Sequence, residues 1–224
     1  MIQIFFHVAT INNYQEIFDE LYNQIKISGL FEKIYKLNIC TTGPNQLRFE
    51  NSPKINYKNF LELDKFEFPT LQEIEKEIWN FEKNIKIFYL HNFGSTNDTI
   101  NKKNWRKYLS YFNITQNTIC INSLDDYDTC GVDYRLDPLP HYSGNFWWAN
   151  SSYLKTLPKI KDISNPSSDV ILTLRHNAEL FIGMNKKIKP RILHQSNISQ
   201  YQKHIYYYEE KDYLGKINQE NIMK

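Results

Sequence analysis

The stretch HYSGNFWWANSSYL, which begins at His141, sets two adjacent tryptophans beside a histidine, a glycine and several small polar residues. In a chain with only 4 Trp and 7 Gly this is a concentrated use of both. A core segment wants the indoles but not the polar neighbours. A surface loop wants the reverse. A wall that binds sugar wants both, because ring faces are apolar and ring hydroxyls need hydrogen-bond partners. The competing reading is that Phe146, Trp147 and Trp148 are mainly core.

Four other places hold residues with chemical potential. HVATINN and HNFG put His7 and His91 where apolar runs give way to polar ones. Asp126-Tyr127-Asp128 has the letters of a metal-binding Asp-x-Asp. Arg175 and Glu179 are spaced four apart, a spacing that on a helix also yields ordinary surface ion pairs worth tenths of a kcal/mol. The glycine-rich dinucleotide fingerprint, the Walker loop, the G-x-S-x-G elbow and H-E-x-x-H are absent. Donor sites for nucleotide sugars need no such glycine fingerprint.

The elements that must position these residues follow from apolar patterning. IQIFFHVAT has no helical period and reads as a buried first strand. Asn12 with Gln15 has the form of a capping box before a helix whose face is Tyr14, Ile17, Phe18, Leu21 and Ile25, ended by Ser28-Gly29. KIYKLNICTTG is a second strand, and residues 44–69 read as loop and short irregular pieces. Leu71, Ile74, Ile78 and Phe81 mark a helix, IKIFYL a third strand, and Trp105, Tyr108, Leu109 and Phe112 another helix. TICI reads as a fourth strand, LDDYDTCGVDY as a loop with a short strand, and residues 168–182 as a helix bearing Ile171, Leu174, Ala178, Phe181 and Ile182. Alternating strands and helices predict a single α/β domain with a mostly parallel sheet flanked by helices, which binds ligands at the carboxyl ends of its strands.

Composition narrows the classes further. At 224 residues and a net charge of +2, with no long basic run, the chain shows no electrostatic footprint of a nucleic-acid binder. Cys40, Cys120 and Cys130 are odd in number and lack C-x-x-C spacing, as expected of reduced residues in a cytoplasmic protein. The apolar N-terminal run is too short for a signal peptide, and no stretch reaches the roughly 18 apolar residues of a membrane span.

IFYLHNFGST followed by NWRKYLSYF resembles the Y-x-H-T-K-G … W-R motif of small glycosyltransferases from polysaccharide gene clusters and large DNA viruses, relatives of the rhamnan-synthesis enzymes. HYSGNFWWA is similar to that group's H-x-S-G-N-F-W-W-A, RHNAELFIG to its R-x-x-A-E-x-W-I-G, and FFHVATINNYQEIFDEL to its opening. The resemblance implies a GT-A-like, Rossmann-like fold acting in bacterial or host cytoplasm. It implies a donor half over about residues 1–125, an acceptor half over about 126–195 and a polar tail over about 196–224. His7, Thr10 and Asn13 would then touch the base or ribose. His141, Ser143, Gly144, Asn145, Trp147 and Trp148 would contact the acceptor glycan, with at least one indole facing sugar.

The donor diphosphate needs positive charge. Many GT-A enzymes use Mn2+ or Mg2+ held by an Asp-x-Asp after the third or fourth strand. That place here is His91-Asn92-Phe93, and Asp126 and Asp128, the candidate metal ligands, come more than thirty residues later. Without a metal, the task falls to Arg106, Arg135, His91 and His194 and to helix N-termini, Lys107 reading as a solvated helix residue. Phe93 stands where the motif has its lysine. Glu179 is the expected general base of an inverting transfer, with Asp126 and Asp128 in reserve. Retention of configuration, and a non-catalytic carbohydrate-binding relative with a disabled donor site, are the alternatives.

Overall fold

The computed structural model describes residues 1–164, 174–199, 202 and 205–218. β1 (Ile2–Ala9) is buried on both faces, with Ile4, Phe6 and Val8 in one core cluster and Phe5 in the other. An apolar run without alternation is the pattern of a central parallel strand. α1 (Tyr14–Ile27) buries Ile17, Phe18, Leu21 and Ile25 and ends before Gly29, whose φ of 71° is the left-handed conformation of a helix C-terminus. α2 (Leu30–Lys33), β2 (Lys36–Thr42) and β3 (Ile55–Phe60) follow, then a 3-10 turn at Leu63–Lys65 and α3 (Phe68–Trp79). β4 (Lys86–His91) leads to α4 (Ile100–Ser110), a π-helical turn at Tyr111–Thr115, and α5 (Asn117–Ser123). β5 (Thr129–Gly131), β6 (Tyr134–Arg135), β7 (His141–Tyr142) and β8 (Trp147–Asn150) come next. α6 (Ser151–Leu154), α7 (Ile160–Ile163), α8 (Leu174–Leu180), a 3-10 turn at Phe181–Gly183, β9 (Pro190–Ile192) and α9 (Glu210–Tyr213) complete the order.

The expected mostly parallel sheet is present. Among the described residues, seven strands run in the order β3-β2-β1-β4-β8-β5-β9, and β6 and β7 form a separate ribbon. Every pairing in the large sheet is parallel except those of β8, which runs against β4 and β5. Two core clusters sandwich it. One holds the apolar faces of α1 and α4, the other those of α3, α6 and α8.

Three expectations are corrected. TICI is part of α5, not a strand: its β-branched letters suggest β, but helical winding buries Cys120 at 0% exposure and leaves Ile119 and Ile121 half-buried. The 44–69 region contains β3, an edge strand with no fully buried residue, so it carries little apolar signal. Asn12 is not a helix cap. It adopts a φ of 51° and donates through Nδ2 to the Ser95 and Thr96 carbonyls, while Gln15 bonds the Arg48 backbone. The expected helix over 168–182 falls partly outside the described residues, which show it from Leu174 onward. The tail is less detached than its polarity suggests: Tyr208 and Tyr213 are buried against Tyr108.

Candidate functional site

From β1 the chain steps to β2 and β3 on one side, and β4 lies on the other. This reversal leaves a crevice beyond the carboxyl ends of β1 and β4, the general ligand position in open α/β sheets. A cleft of about 390 Å³ occupies it. The floor is made by strand ends: His7 and Ala9 of β1, Thr42 of β2 and His91 of β4. Asn92 locks the two central strands together there, its Oδ1 accepting from the Ala9 N–H at 3.0 Å and its Nδ2 donating to the Ala9 carbonyl at 2.9 Å.

One wall is the loop from Phe93 to Thr96 with Lys102 in the first turn of α4. Arg106 anchors that wall from beneath. It is 2% exposed, and its guanidinium donates to both Glu20 oxygens, to the Phe93 carbonyl at 2.8 Å and to Asp98 at 3.2 Å. Asn13 adds a bond from Nδ2 to Asp98. Arg106 and Asn13, expected as donor contacts, therefore hold the loop that lines the cleft and do not line it themselves. Phe93, in the place of the motif lysine, packs its ring on the His91 edge, and Lys102 brings a cation to the same wall.

The opposite side is formed by Gly144, Asn145, Glu67 and, from α8, Arg175 and Glu179. Because β8 runs against β4, with Trp147 beside Tyr89, the residues just before β8 arrive at the carboxyl end of β4. His91 Nε2 lies 3.0 Å from the Gly144 carbonyl. Gly144 has a φ of 98°, and a Cβ there would meet Leu109 Cδ1 at 2.6 Å, so this close approach requires glycine. Asn145 is buried and accepts from Trp147 Nε1 at 3.0 Å, and among the described residues its Nδ2 has no hydrogen-bond partner.

The two indoles do not face the cleft, correcting the expectation that one would. Trp148 is fully buried and stacks on Phe88 at 4.7 Å, while Trp147 is 1% exposed and stacks on Tyr89 at 5.0 Å on the other face of the sheet. Alternation along β8 sends them to opposite cores. The aromatic stretch is thus a central strand preceded by a cleft-lining turn.

The titratable groups of the cleft have distinct environments. Burial, helped by nearby His91, pushes the His7 imidazole down to about 3, so it stays neutral, with Nδ1 2.8 Å from Thr70 Oγ1. Burial and the facing Glu179 push the Glu67 carboxyl up to about 7. Glu67 is 6% exposed, and its Oε2 has no hydrogen-bond partner among the described residues. Glu179 is a third exposed and accepts from Arg175 Nε at 3.2 Å. The cleft therefore pairs a carboxyl that holds its proton near neutrality with an accessible one, the arrangement that lets two acids take different roles.

Other expected site residues lie elsewhere. Thr10 is buried, donates to the Thr42 carbonyl and accepts from Asn45, joining the ends of β1 and β2. His141, in β7, and Ser143, just after it, are buried, His141 Nδ1 lying 2.8 Å from the Leu139 carbonyl and the Ser143 N–H donating to the Asp133 carbonyl. Arg135 pairs with Asp133 and donates to Ser196 and Ile198, fastening the segment after β9. His194 contacts Tyr108 and Phe112, its imidazole pushed down by burial, in a separate concavity with Tyr206 and Tyr207. Lys107 is exposed, as expected of a solvated helix residue.

Asp126 and Asp128 do not fit a metal site for this cleft. They precede β5, which runs parallel to β4, so they lie at the amino ends of the parallel strands, opposite the cleft. Asp128 accepts from the Lys189 N–H at 2.8 Å, and neighbouring Asp125 pairs with Lys86 at the start of β4. Among the described residues no three His, Cys, Asp or Glu side chains gather as a metal site.

Sequence reading missed Glu67, Lys102 and Asn92. Glu67 carries no local signal, because its burial comes from the approach of α8 to the start of α3. Lys102 sits ten residues after Asn92, and only the loop clamped by Arg106 brings it back to the strand end. Among the described residues no helix is long and apolar enough to cross a membrane.

Comparison with known families matches residues 4–213 to DUF8361, a domain of unknown function, and the chain belongs to that family. No curated protein matches it.

Proposed function

We propose that this DUF8361 protein is a GT-A-like glycosyltransferase that moves a sugar from a nucleotide-sugar donor to a glycan hydroxyl, in the building of a surface polysaccharide in bacterial or viral-host cytoplasm. One observation carries the reading. His91 of IFYLHNF, Gly144 and Asn145 of HYSGNFWWA and Glu179 of RHNAELFIG come from three separate segments that resemble the glycosyltransferase motifs, and all line one cleft at the carboxyl ends of β1 and β4.

In this reading the transfer is a single displacement with inversion. The acceptor oxygen attacks the anomeric carbon as its bond to the diphosphate oxygen breaks. Glu179 takes the acceptor proton, and the leaving diphosphate carries away the bonding pair. Its charge is met by Lys102, from the first turn of α4. His7, neutral across the physiological range, contributes a polar but uncharged floor. A second reading is a carbohydrate-binding relative that has lost transfer, and Phe93 in place of the motif lysine favours it.

The test is release of nucleoside diphosphate from a panel of uridine- and thymidine-diphosphate sugars in the presence of glycan acceptors. Wild type is expected to turn over one donor. Glu179→Gln is expected to lose about 100-fold or more in rate while retaining donor affinity. Equal rates for both proteins would remove Glu179 as the base. Binding without turnover by wild type would favour the second reading.

A further inference from the structure

Glu67 is absent from every motif that suggested a function, yet it is the most anomalous polar group in the cleft. It is 6% exposed, it lines the cavity, and its Oε2 is buried without a hydrogen-bond partner among the described residues. A buried carboxyl oxygen left unpaired costs free energy unless a ligand completes it. Among the described residues, further polar atoms without a hydrogen-bond partner occur nearby: Asn145 Nδ2 and Thr42 Oγ1, both on residues of the cleft wall, and the Tyr89 hydroxyl, whose ionisation is opposed by burial and then by Glu67 and Glu179. Tyr89 and Asn145 are joined through Trp147, which stacks on the first and donates to the second. The cleft region thus holds polar atoms that a ligand could complete.

We propose that Glu67 is a ligand-contacting residue of the cleft whose carboxyl hydrogen-bonds a sugar hydroxyl, beside Glu179. The inference rests on the sugar-binding reading of the cleft and adds to it a specificity-determining contact. Neutrality of that carboxyl follows from the surroundings. From α8, Glu179 opposes a second negative charge and Arg175, which favours one, is already paired with Glu179; from β4, Tyr89 faces it as an uncharged hydroxyl. Burial decides the balance, and the carboxyl holds its proton up to about pH 7. A neutral carboxyl offers an O–H and a carbonyl oxygen side by side, which matches a hydroxyl able to accept one bond and donate another.

Because a glutamine side chain also offers one donor and one acceptor end, the proposal separates the two obvious substitutions. Calorimetric titration would compare wild type, Glu67→Gln and Glu67→Ala, using uridine- and thymidine-diphosphate sugars and free glucose, galactose and rhamnose as probes. For whichever probe binds wild type, Glu67→Ala is expected to weaken binding by about tenfold or more, and Glu67→Gln by less than about threefold. Equal affinity for all three proteins would overturn the proposal, as would a glutamine variant as weak as the alanine variant. If none of these probes binds wild type, both the proposal and the sugar-site reading fall. A sugar that binds with the expected pattern but is never transferred leaves Glu67 standing and removes only the transferase reading. Intact transfer with indifference to Glu67 removes only Glu67.

Discussion

Glu67 and His7 are both buried in one cleft, and burial drives them in opposite directions: each is held neutral. Their consequences for stability oppose as well. His7 falls from an ordinary 6.5 to about 3 in the fold, so its contribution is complete above about pH 6.5 and is lost as pH falls toward about 3. Glu67 rises from 4.5 to about 7, so its contribution is complete below about pH 4.5 and is lost as pH rises through about 7. Between about pH 4.5 and 6.5 the two slopes cancel. Glu67→Gln removes one of them. Its unfolding free energy in urea is therefore expected to climb with pH across that window more steeply than wild type, by about 1.4 kcal/mol per pH unit. Parallel curves would show that Glu67 ionises normally. At this scale the sequence made part of the site legible: His7, His91, Gly144, Asn145 and Glu179 all line the cleft. It misdirected at the indoles, because composition cannot tell which side of a strand is covered, and both sides of β8 are.

Between the strand ends and the helices, the decisive piece is the loop from Phe93 to Asp98. Arg106 ties it to α1 through Glu20 and to itself through Asp98, and Asn12 and Asn13 bind it from the other side. Arg106→Lys keeps one charge but not the fork. It is expected to destabilise the protein by about 2 kcal/mol and to weaken donor binding, although Arg106 does not line the cleft. Urea unfolding with a parallel donor titration checks both, and unchanged values would show that the loop holds without it. Strand direction yields a second expectation. The double change Asp126→Asn and Asp128→Asn lies at the far end of the sheet, so donor binding, with or without Mn2+, is expected to stay unchanged. Loss of a manganese-dependent component would place the metal where the fold does not.

Elements were readable where burial was one-sided or complete. β1, β2 and β4 are apolar runs between turn residues, and α1, α3 and α4 show helical spacing. α5 and β3 escaped because neither carries its own hydrophobic period. α5 continues α4 past a π-helical turn, with Asn113 and Asn117 bonding back to the Leu109 and Ile114 carbonyls, and β3 is a half-exposed edge.

For the molecule as a whole, the strand order puts the switch between β1 and β4 at the centre of the sheet and lets the reversed β8 bring Gly144 and Asn145 to the same end. A seam so placed receives residues from both parts of the chain, the expected donor half over about 1–125 supplying His7, His91 and Lys102 and the acceptor half over about 126–195 supplying Asn145 and Glu179. Order along the chain was legible from alternating elements; the reversal of β8 was not, because four buried residues read the same in either direction. The most direct test of a nucleotide-sugar site in this seam is the melting temperature of wild type and Lys102→Ala against uridine- and thymidine-diphosphate sugars. A ligand at 100 times its Kd contributes about 2.7 kcal/mol, so one donor is expected to raise the wild-type Tm by about 5 °C or more and the variant's by much less. If no donor moves the wild-type Tm while free sugars do, the cleft is a carbohydrate-binding site and the transferase account is wrong.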